Sequence, residues 1–256
     1  MKQKGKNIAL LLAGGKGLRV HETLPKQYVE VEGRTVLGHT LRAFALTPGV
    51  DRVYVVCAPE WARLTAQIGR RECGSRWGGT IDGGETSVDS LRSGVETLAS
   101  LRGRGPADVV LVHDAVRPLV SPAIIGEAIR VCREKGNAVA AAVSRETFLH
   151  TNGRLPVRVL SRRDSCRLAQ TPVAFTLGAL CDLFEAAREQ GLATSESLVT
   201  LCDDLGVLPL HASLGHWTNF KITDDEDLAV LRQLLRGRSA APAPDTPSAS
   251  LTDKPQ

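Results

Sequence analysis

The chain has 256 residues, 43% hydrophobic and 23% charged, with 32 Lys and Arg against 28 Asp and Glu. That supplies apolar material for a sizeable core, while a net charge of +4 is too small for a face that binds nucleic acid. The six cysteines, at 57, 73, 132, 166, 181 and 202, have no ligand-like spacing and are expected as free thiols.

The basic start MKQKGK is followed by an apolar run from Ile8 to Ala13 that ends in glycines. It is too short for a membrane span and lacks a cleavage signature, so a soluble, cytoplasmic protein is expected. Asn7 to Leu12 is the first predicted strand. The loop after it, LAGGKGLR at 12–19, offers the backbone N–H groups of Ala13, Gly14, Gly15 and Gly17 as a concave anion site, with Lys16 and Arg19 adding charge. It matches neither a Walker nor a Rossmann loop, and a plain tight turn is the simpler alternative. Leu24-Pro25-Lys26-Gln27 then adds Lys26 seven residues beyond Arg19. Two cations beside a glycine-rich loop suit a triphosphate.

Thr35 to Leu46 has helical apolar spacing, and Arg52 to Cys57 is apolar on both faces, as in a strand covered on both sides. A helix over Glu60 to Arg70 follows. Gly83-Gly84 precedes a helix capped by Thr86 or Ser87, with Val88, Leu91, Val95 and Leu98 as its buried stripe. The glycine pair lets backbone approach a base or ribose and Ser90 offers a hydrogen bond, although a turn before a helix accounts for the same residues. Val109 to Val112 is another apolar strand, followed by HDAVRP. Asp114 then stands where open α/β sheets bind ligands and where a carboxylate can hold a divalent cation for phosphoryl chemistry. A helix cap paired with Arg117 fits it equally well. Ser121 and Pro122 open a helix to Cys132, and Ala138 to Val143 is a further strand.

From about 145 to 169 the βα rhythm breaks. The segment is arginine-rich, with Asn152-Gly153 as a turn signal, and predicts a β-hairpin arm that packs on a partner or covers the site. Pro172 to Phe175 returns to the core, and helices are expected at Leu177 to Glu189 and Ser197 to Asp203. Asn219 to Thr223 is taken as a late strand with Lys221 and Thr223 on one face, and Asp224 as the cap of a last helix to about Leu235. A lysine in a core-like strand implies an anion beside it. Arg19, Lys26, Arg163 and Lys221 concentrate cations in a nearly neutral protein, which points to a small polyanionic substrate. The whole predicts a three-layer α/β domain over residues 1–236 with a mostly parallel, Rossmann-like sheet. The tail 237–256 has four of the thirteen prolines and is expected to be disordered.

Taken in order, LAGGKGLR, PKQY, GGETSVDSL, VHDAVRP, RETF, QTPVAF and NFKITDDEDL resemble the 2-C-methyl-D-erythritol 4-phosphate cytidylyltransferases over nearly all of 7–235. The resemblance implies a nucleotidyltransferase-type sheet and transfer of a cytidylyl group from CTP, with Mg2+, to an alcohol phosphate in the non-mevalonate isoprenoid pathway. It assigns Arg19 and Lys26 to the triphosphate, Gly83, Gly84 and Ser90 to the cytidine, and Asp114 to substrate or metal. Lys221 and Thr223 would hold methylerythritol phosphate, with Thr147 and Arg163 reaching it from the arm of the other subunit of a homodimer. Three segments depart from the family pattern: Ser87 replaces an arginine, AVSRET stands for PVRDT, and TSES at 194–197 stands for TDDAS or TDEAS. These changes leave ribitol 5-phosphate as an alternative acceptor, and a weakly catalytic nucleotide-binding relative as a further one. Thr147 and Arg163 favour methylerythritol phosphate.

Overall fold

Short apolar runs alternate with amphipathic helices along the chain, and in the computed structural model most of them become the element their periodicity demands. The structure describes residues 5–14, 24–150, 158–161, 165–192 and 195–240. Gly15, Gly17, Arg19 and Arg163 therefore lie outside the described residues, as do the Asn152-Gly153 turn and the tail from 241 onward.

In chain order the elements are β1 (Asn7–Leu12), β2 (Glu30–Val31), β3 (Arg34–Thr35), α1 (Val36–Leu46), β4 (Arg52–Cys57), α2 (Ala62–Cys73), β5 (Trp77–Asp82) and α3 (Ser87–Ser100). They continue as β6 (Val109–Asp114), α4 (Pro122–Lys135), β7 (Asn137–Val143), β8 (Phe148–His150), β9 (Arg158–Ser161) and β10 (Arg167–Thr176). The last are α5 (Leu177–Glu189), α6 (Leu198–Asp204), β11 (Ala212–Leu214) and α7 (Asp225–Ala240). Seven strands form one sheet in the order β11-β7-β10-β6-β1-β4-β5. Neighbours run parallel except β10, which is antiparallel to both β6 and β7.

Alternate residues of each central strand feed opposite layers. In β1, Ala9 and Leu11 pack with Leu37, Leu41, Phe44, Ile68 and Ile125 from α1, α2 and α4. Ile8 and Leu10 pack with Leu91, Leu98, Leu180 and Leu201 from α3, α5 and α6. The sheet thus lies between two helical layers, which is why its strands are apolar on both faces. Side-chain oxygens of Thr35, Thr86, Ser121, Thr176 and Ser197 cap α1, α3, α4, α5 and α6, each contributing about 1 kcal/mol. Among the described residues no helix is long and apolar enough to cross a membrane.

Several sequence expectations change. Two edge strands, β5 and β11, were not foreseen. WGGTID carries two glycines and β11 has three residues, so neither shows a strand pattern, and a sheet edge tolerates both. The arm exists as the antiparallel pair β8–β9, but it ends earlier than 169. Arg167 to Gln170 already pair with β7 in the main sheet. Helix α7 continues to Ala240, past the boundary expected at 236. Asn219 to Thr223 is not a strand. It is an irregular stretch tied to the fold by the Ile222 N–H donating to the Val116 carbonyl at 2.9 Å and by buried side-chain amides.

Candidate active site

Chain order reverses around β1. It is flanked by β4 on one side and β6 on the other, with Leu12 in register with both Val56 and Asp114. Open α/β sheets bind ligands beyond the carboxyl ends of the strands at such a switch point, and most of the expected site residues that are described lie at those strand ends in two groups.

The first group lies beyond β1, β4 and β5. The Ala13 N–H donates to the Val56 carbonyl at 2.8 Å and the Gly83 N–H to that of Cys57 at 2.9 Å. Ser90, 2% exposed, joins the two loops. Its Oγ accepts from the Gly84 N–H at 3.1 Å, and a Cβ placed on Gly14 or Gly83 would stand 3.1 Å from that oxygen. A Cβ on Gly84 would collide with Asp89. Glycine is thus required at Gly84 and closely fitted at Gly14 and Gly83, where these loops meet α3. Lys26 lies in a short 3-10 turn, Lys26–Tyr28, anchored by Tyr28, whose hydroxyl meets the Thr65 Oγ1 at 2.8 Å and whose ring stacks on Trp61. Gln27 donates from Nε2 to the Ala13 carbonyl at 2.8 Å. The Lys26 turn is thereby fastened to the glycine loop, while among the described residues no hydrogen bond or ion pair engages the Lys26 ammonium. Ser87 is exposed at the start of α3.

The second group surrounds Asp114. Arg117 Nε donates to Asp114 Oδ2 at 2.9 Å, and Lys221 Nζ approaches Oδ1 at 3.4 Å. Burial works to raise the Asp114 pKa, but Lys221 and Arg117 outweigh it and hold the carboxyl below its usual range. Two cations against one carboxylate leave the cluster with one net positive charge, a setting for a phosphate. Asp114 is not a helix cap, since α4 is capped by Ser121, but the local pair with Arg117 is present. The donor set does not fit a protein-held divalent ion. Asp114 is a single carboxylate whose oxygens already face two cations, and among the described residues no three His, Cys, Asp or Glu side chains group as metal ligands. Asp114 instead pairs with Arg117 and Lys221, in place of the metal role expected of it.

Behind this cluster, the Thr171 hydroxyl accepts from the Asp114 N–H at 3.1 Å and meets His113 Nδ1 at 2.9 Å. His113 Nε2 faces the Arg117 carbonyl at 3.3 Å, so Nε2 carries the proton and Nδ1 accepts from Thr171. The imidazole is fully buried against Phe44, and burial pushes its pKa down to about 4. Asn219 Nδ2 donates to the Thr171 carbonyl at 2.8 Å, and its own carbonyl accepts from Arg117 at 2.9 Å. Gln27, His113, Gln170 and Asn219 had no assigned role in the sequence. Their one signal there is a polar side chain set within or next to an apolar run.

Two expected substrate residues are placed differently. Thr223 does not present a free hydroxyl: its Oγ1 donates to Asp227 Oδ2 at 2.8 Å and its N–H to the same oxygen at 2.6 Å. Burial opposes ionisation of Asp227, but these donations and those of Asp224 hold its pKa below the usual value. Thr223 therefore fastens the start of α7 together with Asp224, which accepts from the Asp227 N–H at 3.1 Å. Thr147 is exposed at the root of the arm and has no hydrogen bond to the cluster among the described residues of its own chain. In the altered TSES segment, Ser197 caps α6 in a reciprocal box with Thr200, and Ser195 donates to Asp204 at 2.6 Å.

Comparison with known proteins yields a consistent set. The family model described as IspD, 2-C-methyl-D-erythritol 4-phosphate cytidylyltransferase, matches residues 7–237. A bifunctional enzyme IspD/IspF from Desulforudis audaxviator is 36% identical over 90% of this chain, and the chain spans only 57% of its length. A ribitol-5-phosphate cytidylyltransferase from Lacticaseibacillus paracasei is 32% identical over 89% of this chain and 97% of its own. The crystal structure of 2-C-methyl-D-erythritol 4-phosphate cytidylyltransferase from Thermus thermophilus superposes with a TM-score of 0.68 at 30% identity, covering 89% of this chain and 98% of that one.

Proposed function

The chain belongs to the 2-C-methyl-D-erythritol 4-phosphate cytidylyltransferase family, and from that premise we propose that it transfers the cytidylyl group of CTP to 2-C-methyl-D-erythritol 4-phosphate, releasing pyrophosphate. The coarser part, an enzyme of the cytidylyltransferase type, follows from the family. The observation that carries the reading is the pair of residue groups set at the carboxyl ends of the strands around the switch point. On one side lie a glycine lobe converging on Ser90 and Lys26, whose ammonium has no acidic partner among the described residues. On the other lies an acidic centre flanked by Arg117 and Lys221.

In this reading an oxygen of the acceptor phosphate attacks the α-phosphorus of CTP as the bond to the β-phosphate oxygen breaks, and pyrophosphate leaves. Lys26 and Arg19 stabilise the charge that develops on the leaving group. Arg117 and Lys221 hold the acceptor phosphate, and Ala13, Gly14, Gly83, Gly84 and Ser90 seat the nucleotide. Most of the rate comes from positioning and electrostatics, with no covalent enzyme intermediate. The Mg2+ expected with CTP belongs here to the nucleotide rather than to the protein's own carboxylates.

The acceptor is tested by pyrophosphate release with CTP and each candidate phosphate. Methylerythritol phosphate is expected to be preferred in kcat/KM by at least about tenfold, the scale set by one well-placed contact. A preference for ribitol 5-phosphate would overturn the acceptor, and the similarity to the Lacticaseibacillus enzyme favours that second reading. CTP binding without turnover of either phosphate would point to a weakly catalytic relative.

The reading includes a homodimer formed through the arm, with Thr147 and Arg163 serving the partner's site. What supports it is the apolar exposure of the arm: Leu149 and Val159, paired across β8 and β9, are 54% and 61% exposed. Replacing both with glutamate is expected to shift the sedimentation coefficient to that of a monomer and to abolish activity together. A fully active monomer would contradict it.

A further inference from the structure

Lys221 lies on an irregular segment, and nothing in the ladder of the sheet fixes its position. The Ile222 N–H bond to Val116 holds it on one side, and the buried amide of Gln170 engages the residues ahead of it. Gln170 is 7% exposed at the register shift where β10 stops pairing with Ala140 and resumes against Val139 at Val173, an irregularity of the kind that re-aims side chains beside active sites. Its Nε2 donates to the His216 carbonyl at 2.9 Å, and its Oε1 accepts from the His216 N–H at 3.2 Å. One side-chain amide thus forms the two hydrogen bonds that a neighbouring strand would supply. The same Oε1 accepts from Asn219 Nδ2 at 3.3 Å. Asn219 is fully buried and accepts Arg117 on its backbone carbonyl at 2.9 Å, and two residues later Lys221 reaches Asp114.

We propose that Gln170 is a positioning residue for the acceptor phosphate: its amide clamps residues 216–219 so that Lys221 reaches Asp114, where Arg117 is already held by its own pair with that carboxylate. The consequence for catalysis rests on the acceptor-site reading above, whereas the clamp itself does not. Gln170 touches neither substrate nor reacting atoms in this account, and it acts through Lys221. Its removal should therefore weaken acceptor use, spare the nucleotide, and have no further effect once Lys221 is gone.

The test uses Gln170→Leu, Lys221→Ala and the double variant of the full chain. Hydrogen exchange of peptides covering 214–223 is expected to accelerate in Gln170→Leu, with peptides covering 7–14 and 83–90 unchanged. The KM for methylerythritol phosphate should rise about tenfold, the equivalent of about 1.4 kcal/mol, with the KM for CTP held within twofold. In the Lys221→Ala background the same substitution should change neither. Unaltered exchange at 214–223, an equal rise in both KM values, or full additivity with Lys221→Ala would each overturn the proposal. Should Gln170→Leu not fold, Gln170→Glu removes the donor to the His216 carbonyl while keeping the accepting oxygen, and the same measurements decide. A wild-type chain that turns over neither phosphate rejects the functional reading, and the exchange experiment still decides the clamp.

Discussion

Lys26→Ala is expected to lower turnover by about 10²–10³-fold, the range for removing one preorganised group that stabilises developing charge. The thermal midpoint should move by no more than about 3 °C. These two magnitudes separate because of where the side chain lies. Lys26 is 9% exposed, and among the described residues its ammonium has no acidic partner. A nearly buried cation without such a partner contributes little to folding and is costly to hold, which is the setting expected of a side chain that meets an anionic ligand. The turn that carries it stays anchored without it, through Tyr28 to Thr65 and Gln27 to Ala13. Steady-state rates at saturating CTP read the effect, and near-wild-type turnover would remove Lys26 from the charge-stabilising role.

His113 predicts a second large effect, on stability against pH. The folded imidazole, pushed down to about 4 by burial, remains neutral where the unfolded one, near 6.5, takes up a proton. Between those values the unfolded state binds more protons, so unfolding free energy falls as pH falls. The contribution is fully present above pH 6.5, declines through the window and is gone below about pH 4. It amounts to about 3 kcal/mol over the whole window. Denaturant midpoints from pH 7 to pH 4 should show that decline, and His113→Asn, which cannot titrate, should lose most of the slope. Equal slopes in the two proteins would rule out His113 as its source. His113 itself should leave the activity of the folded chain unchanged through that window, because the imidazole that supports the backbone of Asp114 through Thr171 stays neutral until about pH 4.

Much of the fold and part of the site were legible in the residues alone. The apolar run from Val109 to Val112, the caps at Thr86 and Ser121, and the helices they open appear where local pattern placed them. Those signals reside in neighbouring residues: alternation, helical spacing, and a hydroxyl ahead of a helix. The glycines at 14, 83 and 84 and the polar residues Lys26, Ser90 and Asp114 also stood out, because strand ends in an α/β sheet are where ligand chemistry collects.

What the tertiary structure decided depends on partners far apart in sequence. The expected strand at Asn219 to Thr223 had the right alternation, yet edge pairing was replaced by the amides of Gln170 and Asn219. Thr223, taken as a substrate contact, is engaged by Asp227 at the head of α7. Antiparallel β10, entering between β6 and β7, brings Gln170 and Thr171 to His216 and His113, far along the chain in either direction. Sequence by itself determined the central strands, most of the helices and the polar and glycine residues set at the strand ends, because those preferences are local. Only the folded chain decided that Asp114 is shared by Arg117 and Lys221 and backed by a neutral His113, because burial and charge pairing arise from the elements that meet.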